Sequence, residues 1–390
     1  MFILNYNFDK VIDRKGTDSI KWSFRNNDDS IALGWADMDF HTPQAVTDAV
    51  SQVAGFGLYG YVAPGPGWYD PFIMWCGRHY HWQVKEEWLS YTPGVISALG
   101  SAVRAFTQKG DQVIFQTPAF CLFTELTETN DREVVPNPLI YEDGKYTIDF
   151  EDLEEKAKKP KAKMLILCNP HNPTGRVFTK EELTRIGEIC VRNNVIIASD
   201  EVHCDMVYKP HQHICIASIS EAIAQNTITC LSPSKTFNMA GLQISVNVIS
   251  NPQMREKYSK ELVSRDSKRP NIFGMAAFRA AYESGEEWLE KLLAYIKGNL
   301  DYLTDYLEKN IPSLKVVRPE GTYLAWIDCT GLGLSGQALG DFFAKNANIF
   351  ISSGIGFGVE GTSFIRVNLA CPRSTIRETL DRMKKAIRPK

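Results

Sequence analysis

The segment Ser232-Pro-Ser-Lys235-Thr-Phe-Asn-Met-Ala-Gly-Leu-Gln243 sets a lysine just past an apolar, β-branched run, Thr227-Ile-Thr-Cys-Leu231. Burying an ammonium at the end of a strand is costly unless it is paired or made neutral. One chemistry wants a lysine there: an amine that rests as a Schiff base with a carbonyl. A surface lysine in a strand-to-helix loop is the plain alternative, and on this segment alone it is the better one.

Two more short aliphatic runs end in polar residues. Lys163-Met-Leu-Ile-Leu-Cys168 leads into Asn169-Pro-His-Asn172-Pro-Thr-Gly175, and Asn194-Val-Ile-Ile-Ala-Ser199 leads into Asp200-Glu201-Val202-His203. Between them, Thr179 to Arg192 reads as a helix from the spacing of Leu183, Ile186, Ile189 and Cys190. Strand, helix and strand in close succession predict a parallel crossover unit, whose ligands bind beyond the carboxyl ends of the strands. Asn172, Asp200 and Lys235 all fall there. That trio suits pyridoxal phosphate. A carboxylate (Asp200) keeps the pyridine nitrogen protonated, an amide (Asn172) steadies the phenolic oxygen, and Lys235 takes up the aldehyde and later the substrate's α-proton. Taken singly, Asn-Pro and Pro-Thr-Gly are ordinary turn formers, and an Asp after a strand is often a helix cap.

With those motifs in place, the chain resembles fold-type I pyridoxal phosphate enzymes of the class I/II aminotransferase family, from about Trp35 to Arg373. Within the family it is similar to the MalY/PatB-type cystathionine β-lyase (carbon–sulfur lyase) branch. That likeness rests on Ala36-Asp37-Met38-Asp39-Phe40, Tyr59-Gly60-Tyr61, Thr92-Pro93-Gly94-Val95-Ile96-Ser97-Ala98-Leu99 and Phe364-Ile-Arg366-Val-Asn-Leu-Ala-Cys-Pro-Arg373. Gln243 and His203 stand where many aminotransferases carry an Arg and a Tyr, and both changes fit the lyase branch.

The resemblance implies further roles. Gly94, Val95 and Ile96 would offer amides to the cofactor phosphate at a helix start, with Ser232 and Ser234 adding hydroxyls. Phe120 would stack on the ring where relatives often have Tyr, without the phenolic hydroxyl. Tyr61 would reach the phosphate of a neighbouring subunit, which implies a homodimer with shared sites, and Tyr61 and Asn172 would also contact the substrate. Arg366 would grip the α-carboxylate of an amino-acid substrate. The implied activity is β-elimination from a cysteine-derived thioether such as cystathionine. An aminotransferase on the same scaffold, or a cofactor-binding regulatory protein with little turnover, are the alternatives.

The elements that must position these residues follow an α/β pattern. A large domain with a mostly parallel sheet between helices is expected over 49–285, and a smaller α/β domain over 286–390, joined by an N-terminal arm, 1–48. An amphipathic helix is expected from Glu286 to Asn310, with Leu289, Leu292, Leu293, Ile296, Leu300, Leu303 and Leu307 on one face and Pro312 closing it. Glu151 to Lys159 reads as a solvated helix face.

Composition excludes other classes. The chain has 390 residues and 43 basic against 46 acidic side chains, a net charge of −3, so nothing favours nucleic acid. Nine scattered cysteines without a C-x-x-C spacing predict reduced thiols in a cytoplasmic protein. The opening Met-Phe-Ile-Leu-Asn-Tyr-Asn-Phe-Asp turns polar too soon for a signal peptide, and no apolar run is long enough to span a membrane. Three Gly-x-Gly-x-x-Gly patterns occur, beginning at Gly55, Gly331 and Gly356. Only the one at Gly331 lies between a strand (Tyr323–Asp328) and a helix (Gln337–Lys345), and no acidic residue ends the next strand, 349–352, as a dinucleotide site requires. Ser232-x-x-Lys235 lacks the Lys-Thr-Gly partner of serine acyl transferases. His203, Cys204, Asp205, His211 and His213 fit no zinc spacing, so no metal is expected.

Overall fold

A computed structural model of the protein describes residues 6–14, 16–23 and 29–387. Residues 1–5, on which the reading of the opening segment partly rests, lie outside the described residues. Seven strands form one sheet: β1 Leu89–Thr92, β2 Gln112–Thr117, β3 Glu133–Pro138, β4 Ala162–Cys168, β5 Ile196–Asp200, β6 Thr227–Leu231 and β7 Ser245–Val248. Their order is β1-β7-β6-β5-β4-β2-β3. Strands β2 to β6 pair in parallel, while β7 runs antiparallel to both β6 and β1. β1 therefore points the same way as the parallel set, and all but β7 end at one edge. The register Cys168–Asp200–Cys230 puts the last residues of β4 and β5 level with the penultimate residue of β6 there.

The helices that matter for the site are α1 Val95–Phe106, α2 Cys121–Glu128, α3 Lys180–Arg192, α4 Pro233–Thr236, α5 Glu286–Asn310, α6 Gly336–Ala347 and α7 Arg373–Ile387. Side chains of a strand alternate between faces, so a doubly covered strand is apolar on both. Met164, Ile166 and Cys168 of β4 cluster with Ala98, Leu99 and Ala102 of α1. Leu165 and Leu167 face the other way, against Leu183, Ile186 and Ile189 of α3. α3 opens with a capping box: the Thr179 hydroxyl accepts from the Glu182 amide (3.2 Å), and the Glu182 carboxylate accepts from the Thr179 amide (2.8 Å). Two amides that no helical carbonyl can reach are thereby satisfied.

Beyond α5, strands β8 Lys315–Val317, β9 Leu324–Asp328, β10 Ser352–Ser353 and β11 Phe364–Asn368 make an antiparallel sheet in the order β8-β9-β11-β10. α5 spans the residues its apolar stripe predicts, with Leu289, Leu292, Ile296, Leu300, Leu303 and Leu307 buried. The strand expected over 349–352 is split. Ile349–Phe350 pairs in parallel with Ile31–Ala32, and Ser352–Ser353 pairs with β11, so the chain changes sheets at Ile351. The first of these pairings ties the N-terminal arm to the C-terminal third. Trp326 and Phe364 of the second sheet share a cluster with Ile114 and Leu165 of the first, so the apolar interior is continuous between the sheets. Among the described residues no helix is long and apolar enough to cross a membrane.

Asn368 joins these parts. Its amide donates to the carbonyls of Trp35 (2.7 Å) and Asp37 (2.6 Å), and its side-chain oxygen accepts from the Ala370 amide (2.7 Å). Each buried main-chain group left unpaired costs about 1–3 kcal/mol. Replacing Asn368 by Leu should therefore destabilise the fold by about 3 kcal/mol or more, read as a lowered urea midpoint with an unchanged slope. An unchanged midpoint would show that the arm is not held by this side chain.

Candidate active site

At the shared strand edge lies a cavity of about 290 Å³. It is lined by Gly94, Val95, Ile96, Phe120, Asn172, Asp200, His203, Ser234 and Lys235, together with Gln243. Ser232, Arg366 and Tyr61 are placed elsewhere.

One end of the cavity is the start of α1. Gly94 precedes the helix with φ 95°, a backbone state that favours glycine, and no side chain caps the first turn. The leading amides, with the helix dipole behind them, form an anion site. Ser234 contributes to the cavity wall, but Ser232 is buried and turned inward. Its hydroxyl donates to the Ile244 carbonyl (2.6 Å) and accepts from the Ser234 amide (3.1 Å). Ser232 thus caps the turn that carries Lys235 instead of offering its hydrogen to the cavity.

Lys235 leaves that turn and donates from Nζ to the Ala36 carbonyl at 2.6 Å. Burial and the repulsion of Arg366 lower its ammonium to about 8, against the pull of Asp37 and Asp200. Asp200, at the end of β5, accepts from the Val202 amide (3.2 Å). Burial raises its carboxyl to about 7, although that amide and the Lys235 ammonium draw it back. His203 is held neutral, at about 3, by burial and by Lys235 and Arg366. Its Nδ1 is buried without a hydrogen-bond partner.

Arg366, on β11, approaches from the second sheet. Nη1 donates to Asn172 Oδ1 (3.0 Å), and Nη2 to the Gly34 carbonyl (2.7 Å) and Ser352 Oγ (3.1 Å). Its Nε has no partner, and the Phe357 ring lies 4.8 Å from the guanidinium carbon. Burial lowers its guanidinium to about 10, still charged at neutral pH. With the Asn172 oxygen taken by Arg366, the Asn172 amide hydrogens are left for the cavity. A second cavity, about 460 Å³, includes Arg366 and shares Phe120 with the first. Tyr61 lies on the surface, 96 % exposed, with the Arg269 guanidinium over its ring. Phe56, Leu58 and Tyr59 beside it are exposed too.

Several supporting groups escape sequence reasoning. The Ala36 carbonyl that holds Lys235 has no signature of its own, although Ala36 lies in one of the segments carrying the family resemblance. Asp205 accepts from Trp75 Nε1 (2.9 Å), Thr236 Oγ1 (2.7 Å) and the Tyr80 hydroxyl, anchoring the residue next to Lys235 from behind. His213 is buried and hydrogen-bonds Glu201 at 2.8 Å. Glu201 also accepts from Ser199 Oγ (2.8 Å) and the Ile216 amide (3.3 Å). Cys215 completes a compact trio with these two, in which the carboxylate is already satisfied by its hydrogen bonds.

A depressed lysine has a measurable signature. Below pH 8 the amine is mostly protonated and cannot attack, so its reactivity should rise about tenfold per pH unit and level off near 8. An ordinary lysine keeps climbing toward 10.4. Labelling the cofactor-free protein with trinitrobenzenesulfonate from pH 6.5 to 10, with peptide mapping of Lys235, measures this. A rate still rising at pH 10 would contradict the assigned environment.

Residues 31–383 match the model of the family described as aminotransferase class I and II. The chain is 38% identical to cystathionine beta-lyase PatB of Bacillus subtilis over 98% of this chain and 100% of that protein. Among solved structures it is similar to a PLP-bound putative aminotransferase from Clostridium difficile (40% identity, TM-score 0.95, covering 98% and 100% of the two chains). It is also similar to cystalysin from Treponema denticola, which contains pyridoxal 5'-phosphate (35% identity, TM-score 0.95, covering 98% and 99%). A match over most of the chain, on the sheet edge where Lys235, Asp200 and Asn172 meet, makes this protein a member of the class I and II aminotransferase family.

Proposed function

We propose that this chain is a pyridoxal 5'-phosphate-dependent carbon–sulfur lyase acting on a cysteine-derived thioether. The observation that carries the reading is the convergence of Lys235, Asp200 and Asn172 on one cavity with the uncapped start of α1. The residues fit the cofactor. Uncapped amides suit a phosphate, a carboxyl poised near neutrality suits a pyridine nitrogen, and a lysine amine of lowered basicity suits an aldehyde. The unpartnered His203 Nδ1 is a further polar group that a bound ligand can satisfy. The chemistry supplied by this cofactor when bound is an aldehyde that takes up amines and a ring that draws electrons from the substrate's α-carbon.

The protein's own part is positioning and proton transfer. Asp200 holds a proton at the ring nitrogen, because a cation beside it removes the penalty of ionising a buried carboxyl. Asn172, its oxygen fixed by Arg366, would offer its amide to the phenolic oxygen. Phe120 would cover the ring and keep water out. Arg366 holds the substrate α-carboxylate, which presents the α-hydrogen to Lys235. Lys235 takes that proton at Nζ, its lowered basicity freeing far more of the amine near neutral pH than an ordinary lysine would. The net change splits the β-carbon–sulfur bond: thioether and water give a thiol, pyruvate and ammonium. The relatives' names support this choice, PatB being a cystathionine β-lyase. In the same reading, residues 49–285 bind the cofactor and residues 286–390, with the arm 1–48, deliver Arg366. Two chains pair so that the exposed Tyr61 serves the partner's site, and nine free cysteines suit the cytoplasm.

Amino transfer is the second reading, favoured by the likeness to the Clostridium difficile putative aminotransferase. It uses the same Lys235, Asp200 and Arg366 but leaves the β-carbon substituent in place. Cystathionine supplied without a keto-acid acceptor separates the two. The lyase should release pyruvate and free thiol in equal amounts, and Lys235→Ala should abolish both. Amino transfer appearing only after a keto acid is added, with no pyruvate released, would replace the lyase by the transaminase.

A further inference from the structure

Apart from Phe120 and Arg366, the lining of the cavity of about 460 Å³ is not used by the reaction above. Its walls include Trp35, Phe120, Cys121, Phe350, Ile351 and Phe357. Two cations also touch it, and both are already engaged. Lys21 is buried, with Nζ 2.8 Å from Asp39 and 3.1 Å from the Asp37 carbonyl. Arg366 is hydrogen-bonded to Asn172, Gly34 and Ser352 and is the residue proposed above for the α-carboxylate. No Asp or Glu lines the cavity among the described residues.

Once a substrate's carboxylate is at Arg366 and its α-carbon at Lys235, the group on sulfur has this adjoining cavity beside it. The distal end of cystathionine is a second amino acid. Its ammonium would lose water there and meet no carboxylate, only the hydroxyls of Ser352 and Ser353, which are already bonded to Gly34, Arg366 and Gly336, an unfavourable exchange for a charged group. An alkyl or arylalkyl group would instead bury apolar surface against aromatic and aliphatic walls. Resting on the lyase reading, we infer that the preferred substrates are cysteine thioethers whose leaving thiol is apolar, such as S-benzyl-L-cysteine, and not those with a zwitterionic leaving group. One methylene in an apolar pocket already changes kcat/KM by roughly 10–200-fold, so the preference should reach at least about tenfold.

The test compares pyruvate release from S-benzyl-L-cysteine and L-cystathionine by the cofactor-loaded enzyme, in the wild type and in Ile351→Gln. Trp35→Gln, at a half-exposed position, is the second variant if the first fails to fold. A ratio of kcat/KM values within one preparation is insensitive to the folded fraction. The expected result is a wild-type ratio of at least about ten in favour of S-benzyl-L-cysteine, reduced several-fold by the variant. Equal rates, or a preference for cystathionine, overturn the inference and leave the lyase reading standing. Pyruvate from neither substrate overturns the lyase reading, and the cavity is then judged by binding. Calorimetry with 3-(benzylsulfanyl)propanoate, which has no amine to react, should show an affinity that Ile351→Gln weakens several-fold. Affinity unchanged by the variant, or no binding, overturns the apolar occupant as well.

Discussion

The structure depends on the electrostatic balance at one sheet edge. Lys235, Asp200 and Arg366 are withdrawn from water; the Lys235 ammonium and the Asp200 carboxylate support each other's charge, while Arg366 repels the Lys235 ammonium. Burial pulls the lysine down toward 8 and the aspartic acid up toward 7, so the two meet near neutral pH. Such convergence is what an amine that must gain and lose protons requires, and perturbed groups of this kind gather at functional sites. The parallel strands make it geometrically possible. With β1 to β6 ending at one edge, residues far apart in sequence arrive together, and α1 presents its amides to the same space.

Arg366 links this edge to the rest of the fold. It belongs to the second sheet, yet its hydrogen bond to Asn172 crosses to the first. Gly34, Ser352 and Phe357 hold it from the arm and the C-terminal third. The arm matters twice, since Ala36 also accepts from Lys235 and from the Tyr323 hydroxyl. Arg14 and Lys21 clamp the same stretch through Asp37 and Asp39. Arg366 is therefore braced by both sheets and by the N-terminal segment.

Much of this was legible in the sequence because the relevant signals are local. Aliphatic runs ending in Asn, Asp or Ser-x-x-Lys mark strands and the residues at their ends, and the leucine stripe of α5 predicts its length. Thr179 and Glu182 announce the start of α3. Other features carry no local signal. The carbonyl of Ala36 looks like any other carbonyl, and Asp205 finds Trp75 and Tyr80 only through tertiary packing. Ser232 was expected at the cavity from the family resemblance, yet a serine ahead of a short helix caps it equally well. The split at Ile351 depends on which strand each half meets, something only the folded chain decides.

The central claim is that Lys235 is the residue that takes up the cofactor aldehyde. Reduction of the pyridoxal phosphate-loaded protein with borohydride, followed by proteolysis and mass spectrometry, tests it directly. The account predicts one reduced cofactor per chain, on the peptide containing Lys235. Label on another lysine, or spread thinly over the surface lysines while Lys235 stays unmodified, would contradict it.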